Sequence, residues 1–175
     1  QQVITGLQTA LAAGQPVTAH ITESPCPLAV HRRLMVSGEI TMAPNPDEPA
    51  DTIATLVRFT NTDQKVCAVL VHNQCHPTIT GDNILSGEYP GVVCDEIETA
   101  FPGAVCMLLQ GFCGDLRPAL VRDGQFYRGD YAQMETCGKQ LAALFLDALQ
   151  QPDLQYFPLT SPPSFRHRRV SLPLQ

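Results

Sequence analysis

Three short stretches of this sequence hold residue types that do chemistry. The first is His72-Asn73-Gln74-Cys75-His76, placed directly after the apolar run Val66 to Val71. Polar groups at the end of a buried strand are costly unless paired or used, and Pro77 keeps His76 in extended backbone. A histidine so placed can offer one imidazole nitrogen to a metal or substrate while an acceptor fixes the other. The second stretch is Gln110-Gly-Phe-Cys-Gly-Asp115. Its glycines let backbone approach a ligand, and Asp115 can orient a histidine or accept from a substrate hydroxyl. The third is Arg32-Arg33, whose side chains on extended backbone point in different directions, so that one can enter a site while the other meets solvent.

Each stretch also has a structural reading. His72 and His76 are four apart but not on a helix, so spacing does not put them on one face. Gly114-Asp115 is equally a turn between elements, and Arg32-Arg33 taken alone fits surface charge. The loop around Gly111 is no phosphate loop, because the Gly-Lys-Ser/Thr ending is absent. A thiol at Cys75 or Cys113 could act as nucleophile only if His76 were placed to activate it. His20, between Ala19 and Ile21, reads as a structural histidine.

The elements that must position these residues follow from periodicity. Residues 3 to 13 set Val3, Leu7, Ala10 and Leu11 on one helical face, with Gly14 as the stop. Val17 to Glu23 alternates like a half-buried strand and ends at Pro25 and Pro27. From His31 to Ala50 the prolines at 44, 46 and 49 predict irregular chain. Ile53 to Thr60 and the run from Lys65 form a hairpin about Asn61-Thr-Asp-Gln, and Val66 to Val71 reads as a central strand buried on both faces. Pro90 opens a helix over Val92 to Ala100, with Val93, Ile97 and Phe101 toward the sheet. Val105 to Leu109 is the next buried strand, closing a parallel, right-handed βαβ unit. Tyr131 to Leu149, capped by Asp130, is the longest helix, and Leu154 to Phe157 and Phe165 to Leu172 are closing strands joined by an extended Thr160-Ser-Pro-Pro-Ser linker. The expected fold is therefore α/β: a mixed sheet in which a β-hairpin leads into a βαβ unit, with helices packed on the sheet. In units of this kind chemistry collects on loops leaving the carboxyl ends of strands.

Bulk properties narrow the partners. At 175 residues the chain is the size of one domain, residues 1 to 175, and its net charge of −6 gives no general pull toward nucleic acid or anionic membrane. The one dense basic cluster, Arg166-His167-Arg168-Arg169, fits the solvent side of an edge strand. No apolar run reaches the length of a membrane span. The chain starts at Gln1 rather than Met, which predicts processing or truncation. Its 7 cysteines are odd in number, scattered and partly inside apolar runs, a usage that favours a reducing compartment such as the cytoplasm.

The ordered pieces His31-Arg-Arg, Pro44-Asn-Pro, Asn73-Gln-Cys-His-Pro-Thr, Ser86-Gly-Glu-Tyr-Pro-Gly and Gln110-Gly-Phe-Cys-Gly-Asp-Leu-Arg-Pro resemble the amino-terminal catalytic domain of the neutral/alkaline non-lysosomal ceramidase family and its bacterial ceramidase-like relatives. The resemblance implies a zinc-dependent amidohydrolase acting on a small-molecule or lipid-like amide, its metal held by two histidines, a glutamate and a tyrosine. By this likeness His76 is the second zinc histidine, Arg32 lines the substrate pocket with His31 replacing the Asn usual before it, and Asp115 is the acid beside the metal. Arg117 stands where ceramidases carry a serine, which favours an anionic or smaller polar substrate over ceramide itself. The resemblance further implies that the first zinc histidine belongs upstream of Gln1 and the Glu and Tyr ligands downstream of Gln175, so that this chain is the central part of a larger catalytic domain and would bind zinc poorly by itself. The alternative to an enzyme is a non-catalytic binding or structural module that keeps the ceramidase-like fold.

Overall fold

The computed structural model describes residues 2–152, 155–157 and 166–171. The chain runs through α1 (Gln2–Ala12), β1 (Val17–Pro25), β2 (Ala29–Val36), β3 (Glu39–Asn45), β4 (Ile53–Asn61), β5 (Val66–Asn73) and α2 (Glu88–Ala100). It continues through β6 (Val105–Gln110), β7 (Leu116–Pro118), β8 (Val121–Arg122), β9 (Gln125–Phe126), α3 (Tyr131–Leu149) and β10 (Gln155–Phe157). Five strands make a mixed sheet in the order β10-β1-β4-β5-β6, and β3-β2-β7 form a second, three-stranded sheet.

β4 and β5 are the expected antiparallel hairpin. Asn61 sets its turn: Oδ1 accepts from the Asp63 and Lys65 N–H groups, each at 3.0 Å. β5 and β6 then pair in parallel, from Ala68 opposite Val105 to Asn73 opposite Gln110, with α2 as the crossover. Tyr89, Val93 and Ile97 of α2 and Met134, Leu141 and Phe145 of α3 are buried against one face of this sheet, where Leu56, Val69 and Val71 are fully enclosed. Asp130 caps α3 by accepting from the Gln133 N–H at 2.8 Å.

Three expectations are corrected. β6 is an edge strand whose Val105, Met107 and Leu109 remain exposed, and on β5 Ala68 and Leu70 are only half-buried; the helices cover one face, so a nearly continuous apolar run here does not mean two buried faces. The stretch predicted irregular holds the β2/β3 hairpin. Its turn is Ser37-Gly38, both with positive φ (52° and 87°), and Pro44 is tolerated because β3 is an edge strand that need not donate on its outer side. α1 forms as expected with its apolar stripe, and none of its residues is buried. Residues 166–171 are exposed and form no strand; Phe165 and Leu172, like the 160–164 linker and Leu154, lie outside the described residues.

Candidate functional site

The loops leaving β5 and β6 are fastened to one another. The Gly111 N–H donates to the Asn73 carbonyl at 2.7 Å, and the Phe112 N–H donates to Gln74 Oε1 at 2.6 Å. A Cβ at Gly111 would overlap the Gln74 carboxamide, so any larger residue there would displace the side chain that accepts from the Phe112 N–H. Asn73 Oδ1 accepts from the Cys75 N–H at 3.1 Å. The buried Tyr89 hydroxyl is shared between the Cys75 carbonyl oxygen at 2.6 Å and Asn73 Oδ1 at 3.0 Å. Asn73 and Gln74 are therefore used to shape the loop that carries His76.

Glu88 ties the same loop to the start of α2. Its Oε1 accepts from the Thr80 N–H and its Oε2 from the Tyr89 N–H, both at 2.8 Å. The residue has φ 54°, a left-handed conformation that costs a side-chain-bearing residue ~1–3 kcal/mol and persists when its surroundings over-determine it. Here the two carboxylate bonds do so.

His76 is half-buried, and its Nδ1 is enclosed without a hydrogen-bond partner. A buried ring nitrogen left open in this way fits a metal ligand, since the alternative is an uncompensated desolvation cost. Among the described residues no group of three or more His, Cys, Asp or Glu side chains could hold a metal ion, so a metal at His76 would need further ligands from elsewhere. His72 is half-buried on β5, one residue before Asn73.

The remaining candidates meet on the other sheet. β2 and β7 pair antiparallel, with Val30 opposite Arg117 and His31 opposite Leu116. Asp115 Oδ2 lies 3.5 Å from His31 Nε2, and His31 Nδ1 accepts from the Arg33 N–H at 3.4 Å, so the Nε2–H tautomer satisfies both contacts. The Arg32 N–H donates to the Asp115 carbonyl at 2.8 Å, while its Nε and Nη2 donate to the Gly114 carbonyl at 3.1 and 2.8 Å. Arg33 Nη2 reaches the same carbonyl at 3.4 Å. The two arginines were expected to diverge; a register shift between His31 and Arg33 breaks the alternation and turns both toward Gly114. The Arg117 guanidinium lies 4.9 Å from the Phe126 ring centroid, and burial, then the like charges of Arg128 and Arg32, hold its pKa below the ordinary guanidinium range. A cleft of about 230 Å³ beside Asp115 is lined by Pro49, Asp51, Gln74, Phe112 and Leu116. It is smaller than the ~300–1,000 Å³ of a typical ligand site.

The structure thus joins Asp115, Arg32 and Arg117 on the β2/β7 pair, and links that pair to the His76 loop through the bonds between residues 73–74 and 111–112. Sequence reasoning gave no role to Tyr89, Glu88 or the His31–Asp115 contact. The Ser86-Gly-Glu-Tyr-Pro-Gly stretch is the sequence signal for the first two.

Cys75 has no nucleophile's environment. It is 1% exposed, its Sγ donates toward the His76 carbonyl at 3.7 Å, and burial pushes its pKa up, away from the reactive thiolate. Burial likewise raises Cys26 to about 11. Iodoacetamide at neutral pH is expected to leave Cys75 and Cys26 of the native protein unmodified while half-exposed Cys113 reacts, as read by peptide mass spectrometry. Equal labelling of Cys75 and Cys113 would restore the thiol as a nucleophile.

No family model matches the chain, and no curated protein matches it. Solved structures share its fold, two ceramidases among them. Neutral ceramidase from Pseudomonas aeruginosa superposes with a TM-score of 0.66 at 13% identity, covering 87% of this chain and 25% of that one. A ceramidase complexed with C2 superposes with a TM-score of 0.64 at 16% identity, covering 84% of this chain and 24% of that one. The chain therefore has a ceramidase-like fold and spans about a quarter of the length of each ceramidase it matches.

Proposed function

We propose that this chain is part of a ceramidase-like, zinc-dependent hydrolase that cleaves the amide bond of an N-acyl compound other than ceramide. The observation that carries the reading is His76: on a ceramidase-like fold, at the end of a parallel strand, it keeps a buried Nδ1 with no partner, next to the loop that holds Asp115. His76 would hold the metal together with ligands outside residues 1 to 175. When bound, zinc lowers the pKa of its water toward neutrality and polarises a carbonyl.

The chain's own residues have separate tasks. Asn73 and Tyr89 fix the backbone on which His76 sits. His31 holds the Asp115 carboxylate in place from Nε2, leaving Asp115, whose side chain is 54% exposed, free to accept a proton or a substrate hydroxyl. Arg32, anchored on Gly114, and Arg117, braced on Phe126, supply fixed positive charge and planar donors to the polar part of the substrate. The substrate is a small-molecule or lipid-like amide.

Hydrolysis of an N-acyl amide by the full-length protein is expected to vanish on chelation and return with added zinc. Activity that survives chelation would contradict the reading. The second reading, a non-catalytic module with the same fold, is favoured by Arg117 at the place where the resembled motif has a serine. Full-length protein that holds no zinc and hydrolyses no N-acyl amide would establish it in place of the first.

A further inference from the structure

We infer that Arg32, Arg117 and Arg128 together form a binding site for an oxyanion, a carboxylate or phosphate group carried by the substrate. The identity of that molecule as a substrate rests on the function proposed above; the anion site itself rests on geometry.

The protein carries 17 acidic and 11 basic side chains, so a concentration of unpaired positive charge is against its overall balance. Arg32 and Arg117 stand on the adjacent, antiparallel strands β2 and β7, where Arg117 is opposite Val30. The Arg117 guanidinium lies over Phe126 of β9, and Arg128 follows that ring by two residues. Arg128 is held in place by its neighbours. The Gly81 N–H donates to the Gly129 carbonyl at 2.9 Å, and the Gly129 N–H to the Ile79 carbonyl at 2.8 Å, which pins this segment to the loop that begins at His76. Its aliphatic stem lies so near Gly81 that a Cβ there would meet Arg128 Cβ at 3.1 Å.

Among the described residues the carboxylate contacts to basic side chains within 4.0 Å are Asp115 with His31 and Glu135 with Lys139; no carboxylate lies within 4.0 Å of Arg32, Arg117 or Arg128. Asp115, the nearest acid in sequence to Arg117, faces His31. Burial first, and then the like charges of Arg128 and Arg32, lower the Arg117 pKa, in keeping with three guanidinia that lie near one another. Guanidinium groups with open donors match carboxylate and phosphate oxygens bidentately, and such charge-assisted bonds are about twice as strong as neutral ones.

The test is direct binding by the purified protein, read by calorimetry and by the arginine Nε–H signals in NMR, with no turnover involved. The probes are N-acetylglycine, its neutral counterpart N-acetylethanolamine, and inorganic phosphate. The anionic amide is expected to bind at least about tenfold more tightly than the neutral one, with shifts at Arg32, Arg117 and Arg128. Tighter binding of phosphate than of N-acetylglycine would assign the site to phosphorylated substrates; the reverse would assign it to N-acyl amino acids. Arg117→Ser and the exposed-site variant Arg128→Gln should each weaken binding about tenfold, Arg117→Lys should weaken it less, and Arg122→Gln, outside the cluster, should not change it. Equal affinity for the neutral and anionic amides, or unchanged anion binding in a folded Arg128→Gln protein, overturns the proposal. Anion binding without hydrolysis would strike only the function proposed above, and hydrolysis without anion binding only this site.

Discussion

Replacing Gly138 by alanine is expected to destabilise the protein by about 1 kcal/mol net, although alanine is the better helix former by ~1 kcal/mol. Gly138 is buried in α3 where that helix crosses α2. A Cβ at this position would sit 2.6 Å from Val92 Cβ, 2.7 Å from Val92 Cγ1 and 3.3 Å from the Tyr89 carbonyl oxygen. Two of these atoms are at or next to backbone and cannot swing aside, so the helices must separate. Overpacking of that kind costs ~1–3 kcal/mol, occasionally more, and outweighs the propensity gain. Denaturant unfolding checks the sign: an unchanged or raised midpoint for Gly138→Ala would show that the helices are not held this closely. The effect should reach the site, because α2 carries Tyr89, whose hydroxyl contacts Cys75 and Asn73.

Tyr89→Phe is the second large effect. The ring is fully buried, and its hydroxyl lies 2.6 Å from the Cys75 carbonyl oxygen and 3.0 Å from Asn73 Oδ1. Removing the hydroxyl leaves a buried carbonyl without its donor, a loss of ~1–3 kcal/mol. Phenylalanine keeps the ring's packing, so the loss should be concentrated in the His76 loop rather than spread over the core. Two readouts separate the possibilities: a lowered unfolding midpoint, and labelling of Cys75 by iodoacetamide in the folded state. Wild-type stability with Cys75 still protected would mean that the hydroxyl does not hold this loop.

The hairpin, the parallel βαβ unit and both sheet-packed helices were legible in the sequence because each rests on local signals: Asn61 at a turn, helical spacing of Val93 and Ile97, and apolar runs at β5 and β6. Burial was less legible. Val105, Met107 and Leu109 read as core because an apolar strand looks the same whether one face or both are covered. The β2/β3 hairpin was hidden by Pro44 and Pro46, which exclude a central strand but not an edge, while the Ser37-Gly38 signal was passed over. Gly138 read as an ordinary helix position, since its need for closeness comes from Val92, far away in sequence. In the site, candidates could be named from residue type, but their partners could not. Asp115 meets His31 and the arginines turn together at Gly114 because of strand register and a bulge, neither of which has a local sequence signature.

The central claim is that His76 is a zinc ligand in a ceramidase-like hydrolase. The most direct measurement is zinc content and N-acyl amide hydrolysis of the full-length protein beside its His76→Ala variant, at matched thermal midpoints. The account predicts that the variant loses bound zinc and that its hydrolysis falls to the level of chelated wild type, because the metal is held through His76. A folded His76→Ala protein that keeps both its zinc and its activity would contradict it.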